Sequence, residues 1–359
     1  MTSVSQATQI ILDNAASFGE ETVPLEAAAG RVLREDLIAD RDFPPFTRVS
    51  MDGIAIRYAA FEAGRRRFSI AGTQAAGAPP LSLDKEEECL EVMTGAVLPD
   101  QADTVIRYED LDIRDGTAEV AVEEIRQGQN AHPQGLDRRR GDVLVPAGAR
   151  LTAGEIGVAA TVGKTRLRVA RRPKIAILYT GDELVDVSET PEPHQIRVSN
   201  GFTIRTALAN WQITADQLHL PDEPAIIREK LQVCLRTYDA LILSGGVSKG
   251  KFDYIPESLS ALGVQELFHR VKQRPGKPFW FGRHPEGTTV FALPGNPVSA
   301  LMCTLRYVGP WLSKSLGRPA GPSAFAMLAK DYAFKPGMPY FLTVRVQSDP
   351  ATGRLLAYP

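Results

Sequence analysis

Three stretches in the second half of the chain run from an apolar, strand-like segment straight into a glycine-bearing polar loop. They are Lys174 to Leu184 (KIAILYTGDEL), Asp239 to Asp253 (DALILSGGVSKGKFD) and Thr289 to Ser299 (TTVFALPGNPVS). In an open, mostly parallel sheet the carboxyl ends of the strands gather backbone N–H groups and helix N-termini, which is where ligands sit. The surrounding spacing alternates accordingly: a strand to Tyr179, a helix from about Asn200 to Asn210, a strand through Ile213 to Leu218, a helix from about Pro224 to Leu235, and the strand Asp239 to Leu243. Such alternation predicts a doubly wound α/β domain, placed at residues 172–316.

With 359 residues the chain exceeds one ordinary core, and roughly two or three domains are expected. Ile10, Ile11, Ala15 and Phe18 stand near helical spacing in Val4 to Phe18, and a second helical start is predicted at Glu26 to Leu33. The helical pattern stops at Asp42-Phe43-Pro44-Pro45. Short β-like runs follow for about a hundred residues, punctuated by glycine and proline. A small-residue helix returns at Leu151 to Val162 (LTAGEIGVAATV). The expected architecture is therefore multidomain α/β plus β: a helical/β scaffold (1–40 and 141–171), an inserted β domain (41–140), the α/β domain, and a short β domain (317–359) carrying a strand at Tyr340 to Val346. The last is read as incomplete, because some forty residues bury little core.

Forty-one basic against forty-three acidic residues leave a formal charge of -2, so any anion binding must be local and no global footprint for nucleic acid or an anionic membrane exists. Cys89, Cys234 and Cys303 show no disulfide or zinc spacing. The N-terminus lacks a signal-peptide pattern, and no apolar run approaches the roughly 20 residues that span a bilayer. The expectation is a cytoplasmic protein.

The loop Ser244-Gly245-Gly246-Val247-Ser248-Lys249-Gly250-Lys251 combines glycines that let amides turn inward with hydroxyls and two ammonium groups, a chemistry suited to phosphate or another oxyanion. It is neither a Walker loop nor a dinucleotide fingerprint, and a plain glycine-rich turn with solvated lysines has the same composition. Thr180-Gly181-Asp182-Glu183, Asp222 and Asp253 put carboxylates at three strand ends. Carboxylates beside phosphate-binding loops recruit a hard cation such as Mg²⁺, although Asp222 also suits capping of the helix that Pro224 opens. Pro275-Gly276-Lys277-Pro278 holds a lysine in a rigid loop beside Arg274. Pro294-Gly295-Asn296-Pro297 leads into a helix whose start offers free amides and the Ser299 hydroxyl. Polar turns at Ser50-Met51-Asp52-Gly53 and Met93-Thr94-Gly95 mark the β module, and the five histidines show no ligand spacing.

Six collinear strings, RDFPPFTRVSMDGIAIR, VMTGAVLPDQADTVIRYED, LYTGDEL, LILSGGVSKGKFDYI, RPGKPFWFG and ALPGNPVSALM, together resemble the molybdopterin molybdenumtransferases, the MoeA and gephyrin E-domain family. The match runs from about Thr8 to the region of Tyr340. The resemblance implies an elongated homodimer in which the α/β domain binds molybdopterin and the other subunit's β insertion completes the active site. It implies insertion of molybdate into adenylylated molybdopterin with release of AMP, assisted by Mg²⁺, and contact with the adenylyltransferase that makes the substrate. Matched motif by motif, the functional acids fall on Asp52, Asp137, Glu183, Asp222 and Asp253, the last three as metal ligands. The family's threonine falls on Thr94. Oxyanion-binding positions fall on Arg274, Lys277, Pro278, Ser299 and Arg345.

The chain departs from the family pattern at four places. NxRxxGED reads Asn130-Ala131-His132-Pro133-Gln134-Gly135-Leu136-Asp137, Lys249 and Lys251 make the glycine loop more cationic, Arg274 replaces the usual lysine, and the C-terminal stretch that supplies a serine in relatives is missing. These departures also suit a second class of protein, a paralogue that binds molybdopterin without turnover as carrier, regulator or assembly partner.

Overall fold

The computed structural model describes residues 1–246, 254–318, 324–334 and 337–359, so the predicted residues Ser248 and Asp253 lie outside the described residues. The chain divides into two compact units. One comprises Met1–Glu35, Ala147–Gly157 and Thr165–Pro359, and the other Asp36–Pro146 and Val158–Lys164.

The first unit is built on a six-stranded sheet of β1 (Ile175–Thr180), β2 (Ala215–Leu220), β3 (Ala240–Ser244), β4 (Gln265–His269), β5 (Trp280–Arg283) and β6 (Thr289–Leu293), in the order β2-β1-β3-β6-β5-β4. The first four strands of that order are parallel, with Ile175 opposite Ala215 and Ala240, and Ala240 opposite Thr289. β5 and β4 close the sheet antiparallel. Five helices accompany it: α1 (Asn200–Ala209), α2 (Pro224–Thr237), α3 (Ile255–Ala261), α4 (Pro297–Cys303) and α5 (Gly309–Ser315).

Successive strand residues point to opposite faces, and both faces are apolar here because both are covered. Ile175, Ile177, Ile242 and Phe291 pack with Ile204 and Leu208 of α1 and with Trp311 and Leu312 of α5. Ala7 and Ile11 of the N-terminal helix Val4–Asp13 join that core. Ala176, Leu178, Leu241 and Leu243 pack on the other face against Ile227 and Leu231 of α2 and Leu259 of α3.

The predicted helix at Glu26 to Leu33 is not formed. Glu20–Pro24 is a strand paired antiparallel with Arg166–Ala170, followed by one 3-10 turn at Leu25–Ala27. Gly30, at φ +77°, stands in a left-handed conformation that an α-helix does not admit. The strand predicted from Tyr340 begins instead at Arg345, in a three-stranded sheet of Met327–Leu328, Leu355–Tyr358 and Arg345–Ser348. Residues 339–341 pair elsewhere: Arg274 N donates to Pro339 O at 2.9 Å and Phe341 N donates to Arg274 O at 2.8 Å.

The second unit holds another six-stranded sheet, ordered Thr104–Arg107, Gly53–Ile56, Glu88–Val92, Arg67–Gln74, Thr117–Val120 and Leu111–Arg114. Ile54, Phe68, Cys89 and Ile106 fill its core. The three cysteines are free and buried, and burial pushes the Cys89 and Cys303 thiols up to about 12, which makes them inert packing groups.

Phe291 is fully buried, with ring centroids 5.0 Å from Phe281 and 5.2 Å from Trp311. Phe291→Ala removes the ring that joins the sheet to α5 and is expected to destabilise the first unit by about 3–5 kcal/mol. A thermal or urea melt checks this; an unchanged midpoint contradicts the packing described.

Candidate active site

The carboxyl ends of β1, β3 and β6 lie side by side, with Tyr179 opposite Ser244 and Ser244 opposite Leu293. Each strand is followed by a loop that carries no bulk where it meets its neighbour. Gly245 stands at φ +96°, and a Cβ there would lie 3.0 Å from Thr180 O. Gly246, at φ +65°, would bring a Cβ within 3.0 Å of Thr180 Oγ1 and 2.8 Å of Ile255. A side chain at either position would force the strand ends apart and strain the backbone as well.

These loops surround a cavity of about 640 Å³. Of the residues predicted from sequence, it is lined by Thr180, Gly181 and Glu183 from the first loop, by Ser244, Gly245 and Gly246 from the second, and by Pro294, Gly295, Asn296 and Ser299 from the third. Asp222, beyond the end of β2, and Pro278 also reach it. Thr180 and Ser244 are buried and present hydroxyls at its floor.

The acids form one side. Asp182 is exposed and accepts from the Asp222 N–H at 3.2 Å. The Glu183 carboxylate folds back over Gly181, where a Cβ would meet Glu183 Oε2 at 2.5 Å. Burial first, and then the charges of Asp182 and Glu183, push the Asp222 carboxyl above its ordinary range. The expected capping role is not performed: Glu223 occupies the N-cap of α2 without a side-chain hydrogen bond, and Asp222, one residue earlier, faces the cavity. Oxygen donors under mutual repulsion suit a hard cation, so Glu183 and Asp222 fit Mg²⁺. Among the described residues no group of three or more His, Cys, Asp or Glu side chains is arranged to hold a metal; the third predicted ligand, Asp253, is outside them.

The opposite side is less open to anions than the sequence suggests. Asn296 caps α4 by accepting from Ser299 N at 3.3 Å, so that amide is not free. Lys277 and Arg274 are exposed and do not line the cavity, although Pro275 and Pro278 of the same loop do. The Arg274 guanidinium lies over the Tyr340 ring at 5.9 Å, and that of Arg345 over Tyr358 at 5.7 Å.

Sequence reasoning missed Asn200 and Arg197. Asn200 Nδ2 donates to Ser244 Oγ and to Gly295 O, both at 2.8 Å, and so ties the second loop to the third. Its pairing with a carbonyl fixes which way the amide faces. Arg197 lines the cavity, its Nε held by Glu189 O at 2.8 Å. The Ser-Asn pair at a predicted helix start was the available signal for Asn200. Arg197, in the two-residue strand Ile196–Arg197, had none.

In the second unit, Asp52 and Thr94 are brought together across 42 positions: Asp52 Oδ1 accepts from Thr94 N at 2.6 Å and from Thr94 Oγ1 at 2.7 Å. The amide first, then the hydroxyl, hold the Asp52 carboxyl below its ordinary range. Asp137 Oδ1 lies 3.2 Å from His132 Nε2.

Residues 2–163 match a family described as the MoeA N-terminal region (domain I and II), and residues 176–314 one described as a probable molybdopterin binding domain. A molybdopterin molybdenumtransferase from Synechocystis is 40% identical over 353 residues, covering 98% of this chain and 88% of that protein. One from Haemophilus influenzae is 33% identical over 299 residues, covering 83% of this chain and 73% of that protein. Two solved structures of a molybdopterin biosynthesis MoeA protein from Pyrococcus horikoshii align with a TM-score of 0.84, at 29% and 25% identity, and cover 100% and 99% of this chain and 89% of each of those chains. With identity of this extent across both units, the chain belongs to the molybdopterin molybdenumtransferase (MoeA) family.

Proposed function

We propose that the protein acts in molybdenum cofactor biosynthesis as the transferase that inserts molybdate into adenylylated molybdopterin and releases AMP. The observation that carries this reading is the single cavity at the carboxyl edge of the sheet, where loops from three strand ends converge on a space of about 640 Å³. Buried hydroxyls of Thr180 and Ser244, beside the glycine loop that follows β3, receive the pterin phosphates. Lys277 and Arg274, on the loop that borders the same cavity through Pro275 and Pro278, attract the molybdate substrate. Glu183 and Asp222 are the described residues that would hold Mg²⁺, with Asp253 as the third ligand; the ion would offset charge on the phosphate oxygens. The family resemblance brings Asp52, Thr94 and Asp137 into the same reaction through a partner subunit.

A homodimer has support on the surface of the first unit. Val298, Leu301 and Leu305 are 58%, 38% and 50% exposed and recur at helical spacing from the start of α4, and Phe202 on α1 is 41% exposed. An apolar stripe of this kind suits a self-complementary contact. Contact with the adenylyltransferase would shorten the path of a labile substrate; titrating that enzyme against this protein tests it.

The assay is molybdate-dependent AMP release from adenylylated molybdopterin by purified protein. Lys277→Ala is expected to raise the KM for molybdate about tenfold or more, the loss of one charged contact. Retention of the ligand with no AMP release by the wild type would sink the transferase reading.

Asp222→Asn separates the cation from the fold. A carboxyl whose folded pKa is raised opposes folding once ionised, so the metal-free variant should melt above the wild type at pH 7, with the gain shrinking as pH falls toward the carboxylate range. Added Mg²⁺ should raise the melting temperature of the wild type and leave the variant unchanged. An equal Mg²⁺ response in both would remove Asp222 from the metal site.

Leu301→Glu with Leu305→Glu should convert a dimer into a monomer by light scattering, with secondary structure retained. A dimer that survives both charges places the contact elsewhere.

A further inference from the structure

The loop Arg274–Pro278 is anchored from beneath by a buried polar group that no part of the reaction uses. Gln273 is fully buried, and so, at 1% exposure, is Tyr307. The Tyr307 hydroxyl donates to Gln273 Oε1, and Gln273 Nε2 donates to Gly276 O at 3.0 Å, with Cys303 Sγ 3.7 Å away. Both ends of the Gln273 amide are therefore partnered, which a buried amide requires.

The same group reaches the helix that follows the third loop. Tyr307 sits in a π-helical turn, Thr304–Val308, that continues α4, the helix carrying Ser299. Such turns are rare and re-aim the side chains that follow them. Gly276 packs against α4 so closely that a Cβ would lie 2.7 Å from Cys303 Sγ and 2.8 Å from Met302 Cε, and its φ of +85° excludes most side chains independently. The loop and the helix that carries Ser299 thus share one buried anchor.

We infer that Gln273 and Tyr307 are positioning residues that set the distance between the Lys277 loop and the Ser299 helix, and through it the affinity for the oxyanion substrate. The inference rests on the reading of the Lys277 loop as an oxyanion contact. Neither residue touches substrate. Their effect reaches it because a cation displaced by a fraction of an ångström loses much of a directional contact.

Tyr307→Phe deletes one oxygen and leaves Gln273 Oε1 without a partner, so some loss of stability accompanies it. The double variant Gln273→Met with Tyr307→Phe removes the orphaned Oε1 but leaves the Gly276 carbonyl without its donor, so it should recover part of the melting temperature. In the AMP-release assay Tyr307→Phe should raise the KM for molybdate about tenfold, with kcat at saturating molybdate and the KM for adenylylated molybdopterin unchanged. The double variant should keep the raised KM despite its partly recovered stability. A wild-type molybdate KM in Tyr307→Phe overturns the inference, and so does recovery of KM together with stability in the double variant. Lys277→Ala run in parallel tells the two levels apart: an unchanged molybdate KM there means that the loop reading itself has failed, and the anchor with it.

Discussion

Backbone meeting backbone at one edge of the sheet is the constraint on which the rest of the site depends. Gly245 and Gly246 pass the end of β1 at distances that leave no room for a side chain, and Gly295 lies beside Gly245, where a Cβ would come within 3.7 Å of its Cα. Because nothing separates these loops, their polar groups converge instead of dispersing into solvent. Asn200 then fixes the spacing with two hydrogen bonds, one to the second loop and one to the third. A single methyl group at either glycine of the second loop would act on the whole constellation, since the loops are held by a sheet whose two faces are both buried.

The electrostatics are local, as the near-neutral charge of the chain demands. Glu183 and Asp222 line one wall with Asp182 beside them, and burial first, then the charges of Asp182 and Glu183, raise the affinity of Asp222 for a proton. A carboxyl whose charged form is disfavoured in this way, set in a cavity, marks a candidate functional site. Asp52 shows the opposite case: Thr94 supplies two donors to one oxygen and stabilises the charged form. Two carboxylates singled out in the sequence are thereby tuned in opposite directions by their surroundings, one toward holding a proton and one toward remaining an anion.

Much of the fold was legible because its signals are short-ranged. β1, β3 and β6 are apolar runs ended by glycine, and the alternation of strands with helices of ten and fourteen residues reads directly as a covered parallel sheet. The errors are equally specific. Glu26 to Leu33 has helical spacing, yet Gly30 adopts a positive φ and the preceding segment pairs with Arg166–Ala170, a partner more than 130 positions away. The strand assigned to Tyr340 starts five residues late because the backbone around Tyr340 bonds to Arg274. Asp222 looked like a cap for the helix at Pro224, and the chain instead put Glu223 at that position.

From the sequence alone came the strand ends, their glycine loops, the types of chemistry they bear and the family they resemble. The strand ends and loops depend on neighbouring residues, and the family resemblance on short strings taken in order. Tertiary structure decided which strand lies beside which and that Asn200 and Arg197 share the cavity. It also decided that Gln273 and Tyr307 meet beneath the Lys277 loop. Those facts turn on contacts between distant segments, whose geometry is set only when the apolar faces of the sheet are covered and the register of its strands is chosen.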